Sequence, residues 1–266
     1  MLIQASCLLN FTSEAPVPTT FMLRAKSGVA QFIVKEEMHT SPYQTMTEFT
    51  DTYGNLCQRI VLPAGDFQIR STVVADCADL IDVNYSAPWT PVELLPDFML
   101  HYLLPSRYCE SDKLASLAME ITKDLAPGYT QVEAIRQWIQ TNIIYQYGTT
   151  NSSTSAFDIL ATKTGVCRDF AHLGIALCRA LDIPARMVTG YLYELKPMDL
   201  HAWFEAYLDG RWYCFDATQT EPKGNRITIA YGRDAADVAF ASHFGPVTLT
   251  AMAVTVEQPP PGTITL

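Results

Sequence analysis

The segment from Gly165 to Asp182 gives a helix almost no polar face. Phe170, Ala171, Leu173, Gly174, Ile175, Ala176, Leu177, Cys178, Ala180 and Leu181 surround its axis, and Pro184 stops it. A helix that is apolar nearly all round belongs in the middle of a protein, with other elements packed around it. The chain has 266 residues, 48% of them hydrophobic. That is long enough for one large or two small domains around such a helix.

The flanking sequence shows what those elements are. Residues 1–97 read as an all-β N-terminal domain, a sandwich or barrel. Its strands are expected at Leu2–Leu9, Thr20–Arg24, Gln31–Glu37, Gln44–Thr50, Leu56–Leu62 and Phe67–Val74, separated by Ser27-Gly28, Asp51–Asn55 and Pro63–Asp66. A proline-bearing stretch from Ala87 to Pro96 marks the boundary. Residues 98–258 read as an α+β core and 259–266 as a Pro-rich tail. In the core, Ser111 is expected to cap a helix running to Leu125. Thr130-Gln131-Val132-Glu133 reads as a capping box for a second helix, with Val132, Ile135, Trp138 and Ile139 on one face. Ile143–Tyr147 looks extended, and a polar loop follows through Ser155. After the apolar helix come strands at Arg186–Tyr193, His201–Leu208 and Arg211–Phe215, then one or two more within Arg226–Tyr231 and Pro246–Val256.

Lys and Arg total 18, Asp and Glu 28, for a net charge of −10. Nucleic acid and anionic membrane surfaces repel such a chain. No stretch approaches the ~20 apolar residues of a membrane span, and the first residues lack a signal-like apolar run. The expected location is the cytoplasm. The seven cysteines are irregularly spaced with no C-x-x-C, so neither a disulfide framework nor a zinc site is expected. No loop of spaced carboxylates suggests calcium. The reading is of an enzyme without cofactor or metal.

Cys167 stands within one residue of the start of the apolar helix. The first N–H groups of a helix have no intrahelical partner and carry partial positive charge. A thiol there is held toward its reactive thiolate, and the same N–H groups can hold an oxyanion. By itself Cys167 could equally be a small core residue. The hairpin adds to it. Asp209-Gly210 is a strong two-residue turn signal. It sets Leu208 opposite Arg211, Tyr207 opposite Trp212, Glu205 opposite Cys214 and Trp203 opposite Asp216. His201, Trp203, Glu205 and Tyr207 then share a face with Trp212, Cys214 and Asp216. His201 and Asp216 become diagonal neighbours roughly 7–8 Å apart at the backbone. A thiol nucleophile needs such a pair: a base to take its proton, and a third group to fix the base's tautomer. Either residue alone could be a satisfied core histidine or a strand-end cap. The opposite row, Ala202, Phe204, Ala206 and Leu208, is apolar and fixes the hairpin in the core.

Thr164–His172 resembles the nucleophile segment of transglutaminase-like proteins. Leu181–Arg186 with Val188–Tyr191 resembles the turn and strand that follow it. His201-Ala202-Trp203-Phe204-Glu205 and Trp212–Thr218 are similar to the segments that bear the family's histidine and aspartate. Leu104–Cys109 resembles the opening of the core in bacterial members. The resemblance implies a papain-like α+β fold, with the cysteine helix packed against an antiparallel sheet and a β domain ahead of it. It implies Cys167, His201 and Asp216 as the catalytic triad, acting on amide carbonyls through a thioester. Bacterial members are described as cysteine proteases; animal members join Gln to Lys. The second oxyanion donor carries over less well, and Tyr145 and Tyr147 are the candidates, with core or rim aromatics as the other reading.

The remaining residues have structural readings beside functional ones. His172 reads as a satisfied buried histidine, Asp169 as a capping residue and Cys178 as inert core. Arg168 reads as a rim residue or an ion-pair partner, Glu205 as tuning the site or solvated, and Trp203 and Trp212 as walls of the cleft or core. The expected activity is that of a cysteine peptidase or amidase on a peptide or protein substrate. Acyl transfer to an amine, or a scaffold without catalysis, uses the same residues. The oligomeric state is left open.

Overall fold

The computed structural model describes residues 1–259; of the expected tail, all but Pro259 lies outside them. The chain opens with six strands: β1 (Leu2–Ser13), β2 (Val17–Phe21), β3 (Gln31–Ser41), β4 (Thr47–Thr50), β5 (Leu56–Leu62) and β6 (Gly65–Cys77). Strict alternation in β1 buries Ile3, Ala5, Cys7, Leu9 and Phe11 on one face, the pattern of a strand with one face in a core. After the linker come α1 (Ala115–Ile121), α2 (Tyr129–Asn142), β7 (Ile144–Tyr145), α3 (Ala156–Thr162), β8 (Thr164–Gly165) and α4 (Cys167–Arg179). They are followed by β9 (Ala185–Leu192), β10 (His201–Leu208), β11 (Arg211–Phe215), β12 (Arg226–Gly232), β13 (Ala241–His243) and β14 (Thr248–Glu257).

Three four-stranded sheets organise these elements. The core sheet has the order β11-β10-β9-β12, antiparallel throughout. The other two, β14-β1-β6-β3 and β13-β2-β5-β4, make up the β domain. The last two strands therefore do not stay with the core to which the sequence division at residue 98 assigns them. β14 pairs with β1, and β13 with β2. The chain leaves the β domain, builds the core and returns.

Local differences from the sequence reading have local causes. Ser111 makes no cap bond; it opens a short 3-10 turn (Ser111–Lys113), and α1 starts only after Leu114 breaks from helical geometry. α2 begins one residue before the expected box. Gly128, at φ 126°, is its N-cap, and Gln131 Oε1 accepts the Gly128 N–H at 3.3 Å. Only glycine fits there, because a Cβ would lie 2.3 Å from the Ala87 carbonyl oxygen. The expected loop to Ser155 is followed by an unexpected helix, α3, capped by Ser155 and Asp158 reciprocally.

The apolar helix α4 lies where its sequence demands. Its residues from Asp169 to Arg179 are all buried, and it packs on the Phe204 face of β10. The fit is close: a Cβ on Gly174 would meet the Phe204 ring at 2.4 Å.

The β domain grips the core sheet at its free edge. β12 is an edge strand, so half of its backbone groups lack a strand partner. Two buried side-chain amides supply it. Gln31 donates to the Thr228 carbonyl at 2.9 Å and accepts the Thr228 N–H at 2.6 Å. Asn55 donates to the Tyr231 carbonyl at 2.7 Å and accepts the Tyr231 N–H at 2.8 Å. Each amide makes the paired contacts that a neighbouring strand would make.

Candidate active site

Cys167 is the first residue of α4, with Val166 as the extended N-cap. Neither Val166 nor Cys167 caps the helix itself; Asp169 does. Its Oδ2 accepts the Val166 N–H at 2.9 Å and the Thr150 hydroxyl at 2.7 Å, and its Oδ1 takes Arg168 at 2.8 Å. Arg168 also donates to the Asn151 carbonyl at 2.9 Å. Thus both sequence readings of this pair resolve to structure: Asp169 is the cap, and Arg168 its ion-pair partner. Together they tie the 150–151 loop to the start of α4 and hold the backbone at Cys167 still. All seven cysteines are unpaired, and only Cys167 and Cys214 are not fully buried. Cys167 can therefore be reached, which a core cysteine could not.

The hairpin has the expected register. Leu208 pairs with Arg211, Tyr207 with Trp212, and Glu205 with Cys214. Its turn places both Asp209 and Gly210 at positive φ, 49° and 79°, the twist that suits a two-residue loop. His201 opens β10 and Asp216 follows β11. The His201 Nε2–H donates to Asp216 Oδ2 at 2.7 Å, and both residues are almost wholly buried, 2% and 5% exposed. With Nε2 so engaged, Nδ1 is the nitrogen left for the thiol. The Cys167 thiol lies 4.0 Å from the carbonyl oxygen of Leu200, the residue before His201.

Electrostatics follow from the contacts. Burial pushes His201 toward its neutral form, but Asp216 and the Cys167 sulfur outweigh it and raise His201 to about 9. Burial likewise opposes ionisation of Asp216. The charges of His201 and Arg226, with hydrogen bonds from His201 and Thr218, nevertheless hold the carboxyl well below the usual carboxylate range. Asp216 accepts four hydrogen bonds: from His201, from Arg226 Nη2 at 2.8 Å, and from the Thr218 N–H and hydroxyl at 3.0 and 2.7 Å. Such a carboxylate stays charged and cannot rotate.

Arg226 escaped the sequence reading. It lies ten residues from Asp216 on β12, three places from β11 in the sheet order, and no local spacing signals it. Its guanidinium is 4.8 Å from the Trp203 ring centre. Trp203 in turn lies behind His201, with ring centres 6.0 Å apart. His172 is buried, stacked on Tyr108 and accepting the Ala235 N–H; burial depresses it to about 4. It is neutral and takes no part in the cluster. Cys178 is buried core.

The two tyrosines differ. Tyr145 lies beside Cys167, and burial together with that sulfur keeps its phenol protonated. Tyr147 is turned toward Asp199, donating at 3.4 Å. Both are partly open to solvent, 40% and 49%. Among the described residues, no group of side chains is arranged to hold a metal ion, and no helix is long and apolar enough to cross a membrane.

Comparison with known proteins bears on the fold that carries these residues. Residues 115–217, from α1 to just past Asp216, match the model of the transglutaminase-like superfamily. The crystal structure of a "putative cysteine protease" from Cytophaga hutchinsonii is 40% identical. It superposes with a TM-score of 0.90 over 97% of this chain and 90% of its own. An uncharacterized protein of Mycobacterium leprae is 27% identical over 246 residues, 86% of this chain and 88% of that one. An uncharacterized Mycobacterium tuberculosis protein is 32% identical over 46% of this chain and 50% of its own. This chain belongs to the transglutaminase-like superfamily.

Proposed function

We propose that the chain is a thiol hydrolase that cleaves amide or peptide bonds, with Cys167 as nucleophile, His201 as acid and base, and Asp216 as the group that orients His201. The observation that carries this reading is the buried His201–Asp216 bond set against a reachable cysteine at a helix N-terminus. With His201 raised to about 9, the imidazole is charged at neutral pH. Its proton is then available to the leaving amine.

The Cys167 sulfur attacks the amide carbon. The carbonyl oxygen gains negative charge and is met by the Cys167 N–H and the Tyr145 hydroxyl. His201 gives its proton to the departing amine, leaving a thioester. Neutral His201 then takes a proton from water, which attacks the thioester and releases the acid. Asp216 keeps the Nε2–H tautomer throughout and stabilises each imidazolium.

The test is alkylation followed by turnover. Iodoacetamide should modify Cys167 ahead of the other six cysteines, and His201→Ala should remove that preference. The same protein should hydrolyse unfolded peptide substrates, and Cys167→Ser should not. Transfer to an amine shares every residue and differs in product: a new amide instead of free acid and amine. If Cys167 reacts like the bulk thiols and no amide bond is cut, the scaffold reading takes over.

A further inference from the structure

The core sheet face turned away from α4 is not closed. A cavity of about 650 Å³ lies against it, floored by Trp203, Cys214, Arg226 and Tyr231. Leu80–Ile81 of the linker and Phe98–Met99 line it from the other side. This volume is that of a small-molecule site. It is separate from the candidate active site: neither Cys167 nor His201 lines it. Its far wall is firm, since a Cβ on Gly224 would lie 2.1 Å from the Asp79 carbonyl oxygen.

The lining carries aromatic rings and paired charges. Arg186 sits between the Trp212 and Tyr231 rings, 4.1 and 3.9 Å from their centres, and pairs with Glu205 at 2.7 Å. Arg211 pairs with Asp82 at 2.7 Å. Arg226 is different. Its carboxylate partner, Asp216, lies outside the cavity, so the lining holds one guanidinium more than it holds carboxylates. Arg226 is only 8% exposed. Its Nε is taken by the Lys223 carbonyl and its Nη2 by Asp216, while its Nη1 has no partner among the described residues. A buried donor without an acceptor is costly and rare. The neighbouring Asn225 Oδ1 is also buried and unpartnered. Turned over, that amide offers its NH₂ instead. Both residues line the cavity.

We propose that this cavity binds a small carboxylate with an aromatic or branched aliphatic body. The carboxylate takes Arg226 Nη1 and the Asn225 amide, and the body lies among Trp203, Trp212 and Tyr231. Because the same guanidinium holds Asp216, occupancy is felt at the His201–Asp216 pair from behind. This site stands whether or not Cys167 is catalytic.

The test is a fluorescence titration of the whole chain, since Trp203 and Trp212 are two of its four tryptophans. The probes are phenylacetate, 4-methylpentanoate, the uncharged phenylacetamide and inorganic phosphate. Both carboxylates should bind saturably. Loss of the charge-assisted bond should weaken phenylacetamide about ten- to a hundredfold. Phosphate, lacking an apolar body, should bind more weakly than either carboxylate. Arg226→Gln should reduce phenylacetate to the level of its amide. Cys214→Phe fills the cavity without removing a charge, and should abolish binding while the melting temperature is kept. The proposal is overturned if acid and amide bind alike, if phosphate binds as well as the carboxylates, if neither carboxylate binds, or if Cys214→Phe changes nothing. Should Arg226→Gln fail to fold, the acid–amide ratio and Cys214→Phe still decide.

Discussion

The two faces of β10 are built from alternate residues of one strand and obey different rules. Ala202, Phe204, Ala206 and Leu208 are buried on the α4 side, packed to the point that Gly174 has no room for a methyl group. His201, Trp203, Glu205 and Tyr207 face the other way, into rings and paired charges. His201 meets Asp216, Trp203 stacks on Arg226, and Glu205 holds Arg186. The first face carries burial energy, about 1.5–3 kcal/mol for each large apolar side chain. On the second, desolvating the ions offsets much of their attraction, and what remains depends on the protonation of His201. The value of that face is in fixed orientation. One face anchors the strand so that the other can hold reactive groups without moving.

Substitutions on the two faces should separate these roles. The largest effect belongs to the charged face: Asp216→Asn should lower turnover about 10⁴-fold through the wrong histidine tautomer, measured on a peptide substrate with circular dichroism to show that the fold persists. Near-full activity in that variant would break the assignment. On the apolar face, Phe204→Ala should cost roughly 3–5 kcal/mol in urea unfolding, while the Cys167 alkylation preference remains in the folded fraction. Next comes pH. His201 is raised from its ordinary value to about 9, so its stabilisation is complete below about pH 6.5 and lost as pH rises through 9. The loss should be roughly 3 kcal/mol, and His201→Gln should flatten that part of the stability curve. An unchanged slope in the variant would mean another group titrates there. Smallest is Gly174→Ala, which should destabilise by about 1–3 kcal/mol through overpacking against Phe204 and leave alkylation of Cys167 unaltered; a neutral or stabilising result would mean the α4–β10 contact yields more than its geometry suggests.

Features set by neighbours in the chain were legible in the sequence. The apolar ring of residues from Phe170 to Leu181 placed α4 at the centre, and Asp209-Gly210 fixed the hairpin register that joins His201 to Asp216. Features set by distant partners were not. β14 shows only an extended pattern, and nothing in Thr248–Glu257 says that it pairs with β1 rather than with the core. Arg226 reads as an ordinary strand residue until the sheet order brings it to Asp216. α3 is a milder case. Its Ser155–Asp158 cap is visible in the sequence, but seven residues between two loops give a periodicity too short to trust.

The amides of Gln31 and Asn55 have a consequence for what happens if the protein is divided. They sheathe the backbone of Arg226–Gly232. A fragment starting at residue 98 would bare that strand to water, and the nearest complement for it would be the same strand of another fragment. Such a fragment should self-associate edge to edge even with its cysteine, histidine and aspartate intact. In that sense the β domain acts as a permanent escort for the half that carries Cys167, His201 and Asp216, covering its open edge.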